Sequence, residues 1–187
     1  MIRAVFDACV LYSAPLRDFL LRLAEDELIE PFWSDEIRNE WTHSLLRKRP
    51  DLRPENLERT CREMDRHFPD SLVRGYEFTT PTLTLPDPHD RHVLAVAIHA
   101  KAEYIITFNL DDFPKTALKP HGVAAVSPEE FILQLIQYDP LHVLQTVRKH
   151  RLSLKRPPKT VNEYLATLEK QGLPKTVAFL REHESEI

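Results

Sequence analysis

Ile2-Arg3-Ala4-Val5-Phe6-Asp7 decides how the rest of the chain is read. A short, mostly apolar run stops at a carboxylate. That is the pattern of a strand buried on both faces, with its carboxyl end at a crevice. Leu16, Phe19, Leu20, Leu23 and Ala24 follow at helical spacing. Leu28–Trp33 reads as a second strand, and Pro31 favours an edge position because proline cannot donate to a sheet ladder. Ser34 is placed to cap the next helix, which carries Ile37, Trp41 and Leu45 on its inner stripe. Another helix begins near Pro54, with Leu57, Cys61, Met64 and Phe68 on one face. Three prolines in Thr79–Pro88 break regular structure, and Asp87-Pro88 opens the helix that carries Val93, Leu94, Ala97 and Ile98. Tyr104–Thr107 and Gly122–Val126 complete the strands. Strands alternating with helices predict a parallel sheet covered on both faces.

The period changes at Ser127. Ser127-Pro128-Glu129-Glu130 and Thr160-Val161-Asn162-Glu163 are capping boxes, Asp139-Pro140 opens a further helix, and Gly172 is a helix stop. The expected organisation is an α/β domain over residues 1–127 and an all-helical C-terminal extension over 128–187.

Composition narrows the function classes. Apolar residues make up 42% and charged residues 29% of 187, which is globular usage and argues against wholesale disorder. No apolar run approaches the ~18 residues of a membrane span. The first residues lack a signal-peptide layout, since Asp7 interrupts the short apolar run. With three glycines, glycine-rich phosphate loops are excluded, and Cys9 and Cys61 make neither a disulfide framework nor a metal knuckle. The expected compartment is the reducing cytoplasm. Net charge is −4, split between an acidic body (16 basic, 21 acidic groups before residue 128) and a tail with 9 basic and 8 acidic groups. Arg148, Lys149, Arg151, Lys155, Arg156 and Lys159 run without an intervening acid, around Pro157-Pro158, which is expected to hold the backbone extended. Such a stretch suits either a solvated linker or an anionic partner.

The informative acids are those beside the expected carboxyl ends of the strands. Asp7 closes the first strand, Asp111-Asp112 follow the Tyr104–Thr107 strand, and Asp90 stands in the first turn of the helix between them. Glu40 lies next to the inner stripe of its helix, where a charge needs a partner: a metal, or an arginine such as Arg38 or Arg47. Taken singly, each acid has a structural reading as a cap, turn or ion-pair residue. Together they converge on one crevice, where a divalent cation keeps clustered carboxylates ionised. Hard oxygen donors without a histidine or cysteine set suit Mg2+ or Mn2+.

Four stretches, in order, carry a resemblance to a known family: Val5-Phe6-Asp7-Ala8-Cys9-Val10-Leu11, Glu36-Ile37-Arg38-Asn39-Glu40, Asp87-Pro88-His89-Asp90-Arg91-His92-Val93-Leu94-Ala95-Val96-Ala97, and Ile106-Thr107-Phe108-Asn109-Leu110-Asp111-Asp112-Phe113-Pro114. The sequence resembles the PIN-domain ribonucleases, in particular the VapC-type toxins of toxin–antitoxin pairs. Its tail resembles the helical extension of one VapC subgroup. The resemblance implies a PIN-like α/β/α sandwich and metal-dependent cleavage of RNA phosphodiesters. Asp7, Glu40 and Asp90 match three acidic positions. Asn109 stands at the fourth, so Asp112 is the alternative source of that carboxylate, and Thr107 supports the site. Asp7, Asp90 and Asp112 are the expected metal ligands. Arg47, Lys48 and Arg49, with Arg151, Lys155 and Arg156 of the tail, are candidates for RNA phosphate contact. The resemblance further implies a homodimer and a small DNA-binding antitoxin as partner.

Three other readings are weaker. A haloacid-dehalogenase-type phosphatase wants an Asp where Cys9 stands. The His89-Asp90 pair, with His92 as a possible further ligand, suggests an HD-type phosphohydrolase, an all-helical fold that the Tyr104–Thr107 strand opposes. A PIN-like protein that binds RNA or a partner without cutting is favoured only by Asn109.

Overall fold

The computed structural model describes all 187 residues. Four short strands form one parallel sheet: β1 (Ile2–Phe6), β2 (Ile29–Phe32), β3 (Tyr104–Ile106) and β4 (Ala124–Val126), in the order β2-β1-β3-β4. Helices cover both faces, giving the expected α/β/α sandwich. The strands are largely buried, as their near-continuous apolar sequences require. Pro31 does lie in the outer strand, paired with Ala4; beyond it a single bridge, Trp33 to Leu72, extends the sheet.

From β1 the chain moves first to β2 on one side and later to β3 on the other. The switch point therefore lies between the carboxyl ends of β1 and β3, where open α/β sheets bind ligands. Asp7 N–H donates to the Ile106 carbonyl (3.1 Å) and Thr107 N–H to the Val126 carbonyl (3.0 Å), so Asp7 and Thr107 stand side by side at that edge.

The helices of the body are α1 (Ala8–Leu11), α2 (Ala14–Glu25), α3 (Asp35–Lys48), α4 (Pro54–His67), α5 (Arg91–His99) and α6 (Lys115–Leu118). Ser34 caps α3 through the Ile37 N–H. Asp87 likewise accepts from His89 N–H, and Pro88–Asp90 form a 3₁₀ turn ahead of α5. The proline-rich Thr79–Pro88 segment contributes only a further 3₁₀ turn, Thr80–Thr82, but its Leu83 and Leu85 are buried.

The tail is four helices: α7 (Pro128–Tyr138), α8 (Pro140–Ser153), α9 (Val161–Glu169) and α10 (Pro174–Glu182). Both capping boxes form. Glu129 at the start of α7 accepts from the Thr176 N–H and hydroxyl and from the Lys175 N–H, pinning the first turn of α10. Gly172, with φ +81°, makes the left-handed turn between α9 and α10 that a side chain resists. The helices are not an outlying arm. α8 packs on α2, Phe131 meets Tyr104 edge-on (centroids 5.6 Å), and Thr146 and Lys149 both reach Asp26 at the end of α2. Buried apolar residues from Ala4 to Ile187 form one cluster.

The basic stretch is divided among structural roles. Arg151 donates to the carbonyls of Lys159 (3.1 Å) and Ile187 (3.3 Å), and Lys159 donates to Thr167. The Pro157-Pro158 pair does not hold the backbone extended; Lys155 bridges to Pro158 in a tight turn, with Lys155 and Arg156 exposed on it.

His150 of α8 is a buried group with a measurable consequence. Its ring stacks on Phe19 (5.8 Å), and its Nδ1 lies 2.9 Å from the Tyr164 hydroxyl. Burial, with smaller contributions from Arg22 and Lys159, depresses its pKa to about 4. The unfolded chain thus takes up this proton near the ordinary histidine value of 6.5, whereas the folded chain resists it until about 4. Stability present above pH 6.5 is lost as pH falls through that window, by about 3 kcal/mol in total. His150→Gln is expected to flatten the fall in Tm between pH 7 and pH 4 relative to wild type. Identical pH profiles would contradict this.

Candidate active site

Asp7 ends β1 and caps α1. It is 5% exposed, and both of its carboxylate oxygens accept hydrogen bonds. Oδ1 accepts from Ala8 N–H (2.7 Å), and Oδ2 accepts from the Thr107 hydroxyl (2.7 Å) and the Cys9 thiol (3.2 Å). Those bonds offset the cost of burying the charge. Thr107 also accepts from Asn109 N–H (3.0 Å), and Cys9 Sγ accepts from Phe108 N–H (3.3 Å). The β3 exit loop is thereby tied to Asp7 at two points. Burial first, then the Asp7 charge, pushes the Cys9 thiol up to about 12, so it stays a proton donor to the carboxylate.

Asp90 faces Asp7 from the turn before α5. Its carboxyl is raised to about 6, by burial and then by the charges of Asp7, Asp112, Asp87 and Glu40 in that order. The neighbouring acids thus add to an effect that burial dominates. Asp7, Glu40, Asp90 and Asn109 all line one open crevice of about 950 Å³, and Arg47 and Lys48 stand on its wall. Lys48 Nζ lies 5.2 Å from the centre of the Tyr12 ring.

Several expected residues stand elsewhere. Asp112 lies in a 3₁₀ turn, Leu110–Asp112, outside the crevice lining, although its charge reaches Asp90. Arg49 is held by Asp51 through two hydrogen bonds (2.8 and 2.7 Å) because α3 ends there and the chain turns back. Arg151, Lys155 and Arg156 do not line the crevice either; the carbonyl ties of Arg151 and the tight turn after α8 place them in the tail. Glu40 pairs with neither Arg38 nor Arg47. Its partner is His92 of α5, with Nε2 2.9 Å from Oε1, while Arg38 is taken by Asp65 and Asp35. Burial lowers the His92 pKa, but the Glu40 hydrogen bond and the charges of Glu40, Glu36 and Asp7 outweigh it and raise the value. His92 and Cys9 are site residues that acid counting alone does not find. Both stand in the stretches that carry the resemblance, each two residues after an acid, but nothing local says that His92 holds Glu40 or that Cys9 donates to Asp7.

The donor set fits a small divalent cation in kind: Asp7, Glu40 and Asp90 offer hard carboxylate oxygens to one crevice. It is not a finished coordination shell, since no three His, Cys, Asp or Glu side chains stand close enough together to hold an ion as placed.

The fold is a parallel α/β/α sandwich, and Asp7, Glu40 and Asp90 line the crevice at its switch point. Residues 3–111, more than half of the chain, match the family model described as PIN domain, and the chain belongs to the PIN domain family. Residues 128–182 match a second model, the VapC50 C-terminal domain. Among curated proteins, "Putative ribonuclease VapC50" of Mycobacterium tuberculosis is 51% identical over 51 residues, covering 27% of this chain and 30% of that protein. The aligned stretch thus spans less than a third of that relative. No solved structure matches. No helix is long and apolar enough to cross a membrane.

Proposed function

We propose that the chain is a divalent-metal-dependent endoribonuclease, Mg2+ or Mn2+ serving as cofactor, and the toxin of a toxin–antitoxin pair. The observation that carries this reading is the buried Asp7 carboxylate, locked by Thr107 and Cys9 at the sheet switch point and facing an Asp90 raised to about 6. Asp7 and Asp90 would hold the cation, with the fourth position filled by Asn109 through its carbonyl or by Asp112. When bound, the cation supplies Lewis acidity and offsets the charge between the carboxylates and the phosphate.

The remaining work falls to the chain's own groups. Thr107 and Cys9 fix the direction of the Asp7 carboxylate. Glu40, held by His92, faces the crevice as the carboxylate that accepts a proton from the attacking water. Arg47 and Lys48 draw the RNA backbone into the crevice. As partners the reading includes RNA, a small DNA-binding antitoxin and a second copy of the chain; Phe78 and Tyr138, 91% and 85% exposed, are apolar surface available to such protein contacts. Two free thiols, Cys9 and Cys61, suit the cytoplasm. The division into a PIN-like body (1–127) and a helical extension (128–187) belongs to the same proposal.

The test is cleavage of RNA by the full chain with Mg2+ or Mn2+, after chelation by EDTA, and after metal is restored. Cleavage that stops with EDTA and returns with metal is expected. RNA retained but never cut would favour the second reading, a PIN-like binding protein, to which Asn109 at the fourth position points.

A further inference from the structure

Phe108 stands between two residues of the site network, Thr107 and Asn109, yet it takes no part in the acid chemistry. It is a large apolar side chain left 46% exposed. Its mounting is rigid. Phe108 N–H donates to Cys9 Sγ, and the flanking Thr107 and Asn109 are tied to one another and to Asp7. The α9–α10 turn lies beside the ring edge: a Cβ added to Gly172 would come to 3.8 Å from Phe108 Cε1, so the glycine leaves the ring its room. The neighbouring Gln171 is hydrogen-bonded to Ser13, just beyond α1, so this tail turn is held against the crevice side of the body. The sequence of that turn carries Lys170 and Lys175 on either side, both exposed.

A half-exposed aromatic on a backbone fixed by hydrogen bonds is a surface on which an unpaired base can stack. Phe108 does not itself line the crevice, but its backbone neighbours do or bond to those that do: Asn109 and Cys9 are both crevice residues, so a base on the ring would lie at the crevice margin. We propose that Phe108, with the Gln171–Gly172 turn beside it, is a stacking platform for a base of single-stranded RNA adjoining the cleavage site. The helical extension then positions substrate as well as closing the core. This inference rests on the ribonuclease reading above and adds to it a substrate-positioning residue.

The test uses the full chain in an Asp7→Asn background and single-stranded RNA decamers carrying 2-aminopurine at one position at a time. Binding is expected to quench the fluorophore at one position. Phe108→Leu is expected to remove that quenching and weaken binding by about tenfold, within the range of a lost base stack. Phe108→Trp is expected to restore both, which a merely structural role would not require. Affinity and quenching unchanged in Phe108→Leu would overturn the proposal and leave Phe108 to a protein contact. A loss that Phe108→Trp fails to recover, in a variant that unfolds at the wild-type temperature, would overturn stacking as well. Cleavage of the same RNA by the Asp7-intact chain separates the two readings. Normal cleavage with an unchanged KM in Phe108→Leu defeats only the platform, whereas a wild type that neither binds nor cuts RNA defeats both.

Discussion

Asp7→Asn is expected to lower RNA cleavage by on the order of a thousandfold or more, about 4 kcal/mol of transition-state stabilisation. The carboxylate is buried at the switch point and reached by three donors, so the site is built around its charge rather than its shape. Asparagine keeps the size and one acceptor oxygen, which can still serve Ala8 N–H or the Thr107 hydroxyl. It also removes a negative charge that works against Asp90. The variant should therefore fold, with an unfolding temperature no lower than wild type by more than a few degrees. Single-turnover cleavage together with thermal unfolding checks both halves. A folded variant that retains activity within tenfold of wild type would remove Asp7 from the chemistry.

Phe131→Ala is expected to cost about 3–5 kcal/mol, a large share of the stability of a domain this size. Phe131 is fully buried and meets Tyr104 of β3, so the cavity opens where the tail joins the sheet. The same contact argues that tail and body unfold together. Phe19 and Tyr164 enclose His150 from either side of the junction, and Asp26 holds Thr146 and Lys149. A chain ending at Ser127 would expose the α2 face that α8 covers, and it is expected to show no cooperative unfolding by circular dichroism. Two separate transitions in the intact chain, with Phe131→Ala shifting only one, would contradict a shared core.

Much of this was legible in the residues because it is local. Ile2–Phe6 ending at Asp7, the Ser127 and Thr160 capping boxes, and Pro31 in an outer strand each follow from neighbours within a few positions. Asp7 and Asp90 were legible for the same reason: each sits at the end of an element whose direction the apolar pattern sets. What stayed hidden depends on distant chain segments. The bond from Thr107 to Asp7 spans 100 residues, and that between His92 and Glu40 spans 52. Asp139-Pro140 marks where α8 begins but not that its partner is α2. Charge counting marks Arg49 and Arg151 as candidates for phosphate contact but does not show their partners, Asp51 and two backbone carbonyls. Asn109 and Asp112 are three positions apart, and only the 3₁₀ turn between them determines which one lines the crevice.

The central claim is that the switch-point carboxylates hold a divalent cation, and thermal unfolding during Mg2+ titration tests it most directly. A ligand that binds only the folded state at 100 times its Kd adds about 2.7 kcal/mol. For a chain of this length that is a rise in Tm of roughly 5–10 °C. Wild type is expected to show this rise, and Asp7→Asn, measured alongside it, is expected to lose most of it while remaining folded. Equal rises in the two proteins, or none in wild type at millimolar Mg2+, would contradict the claim.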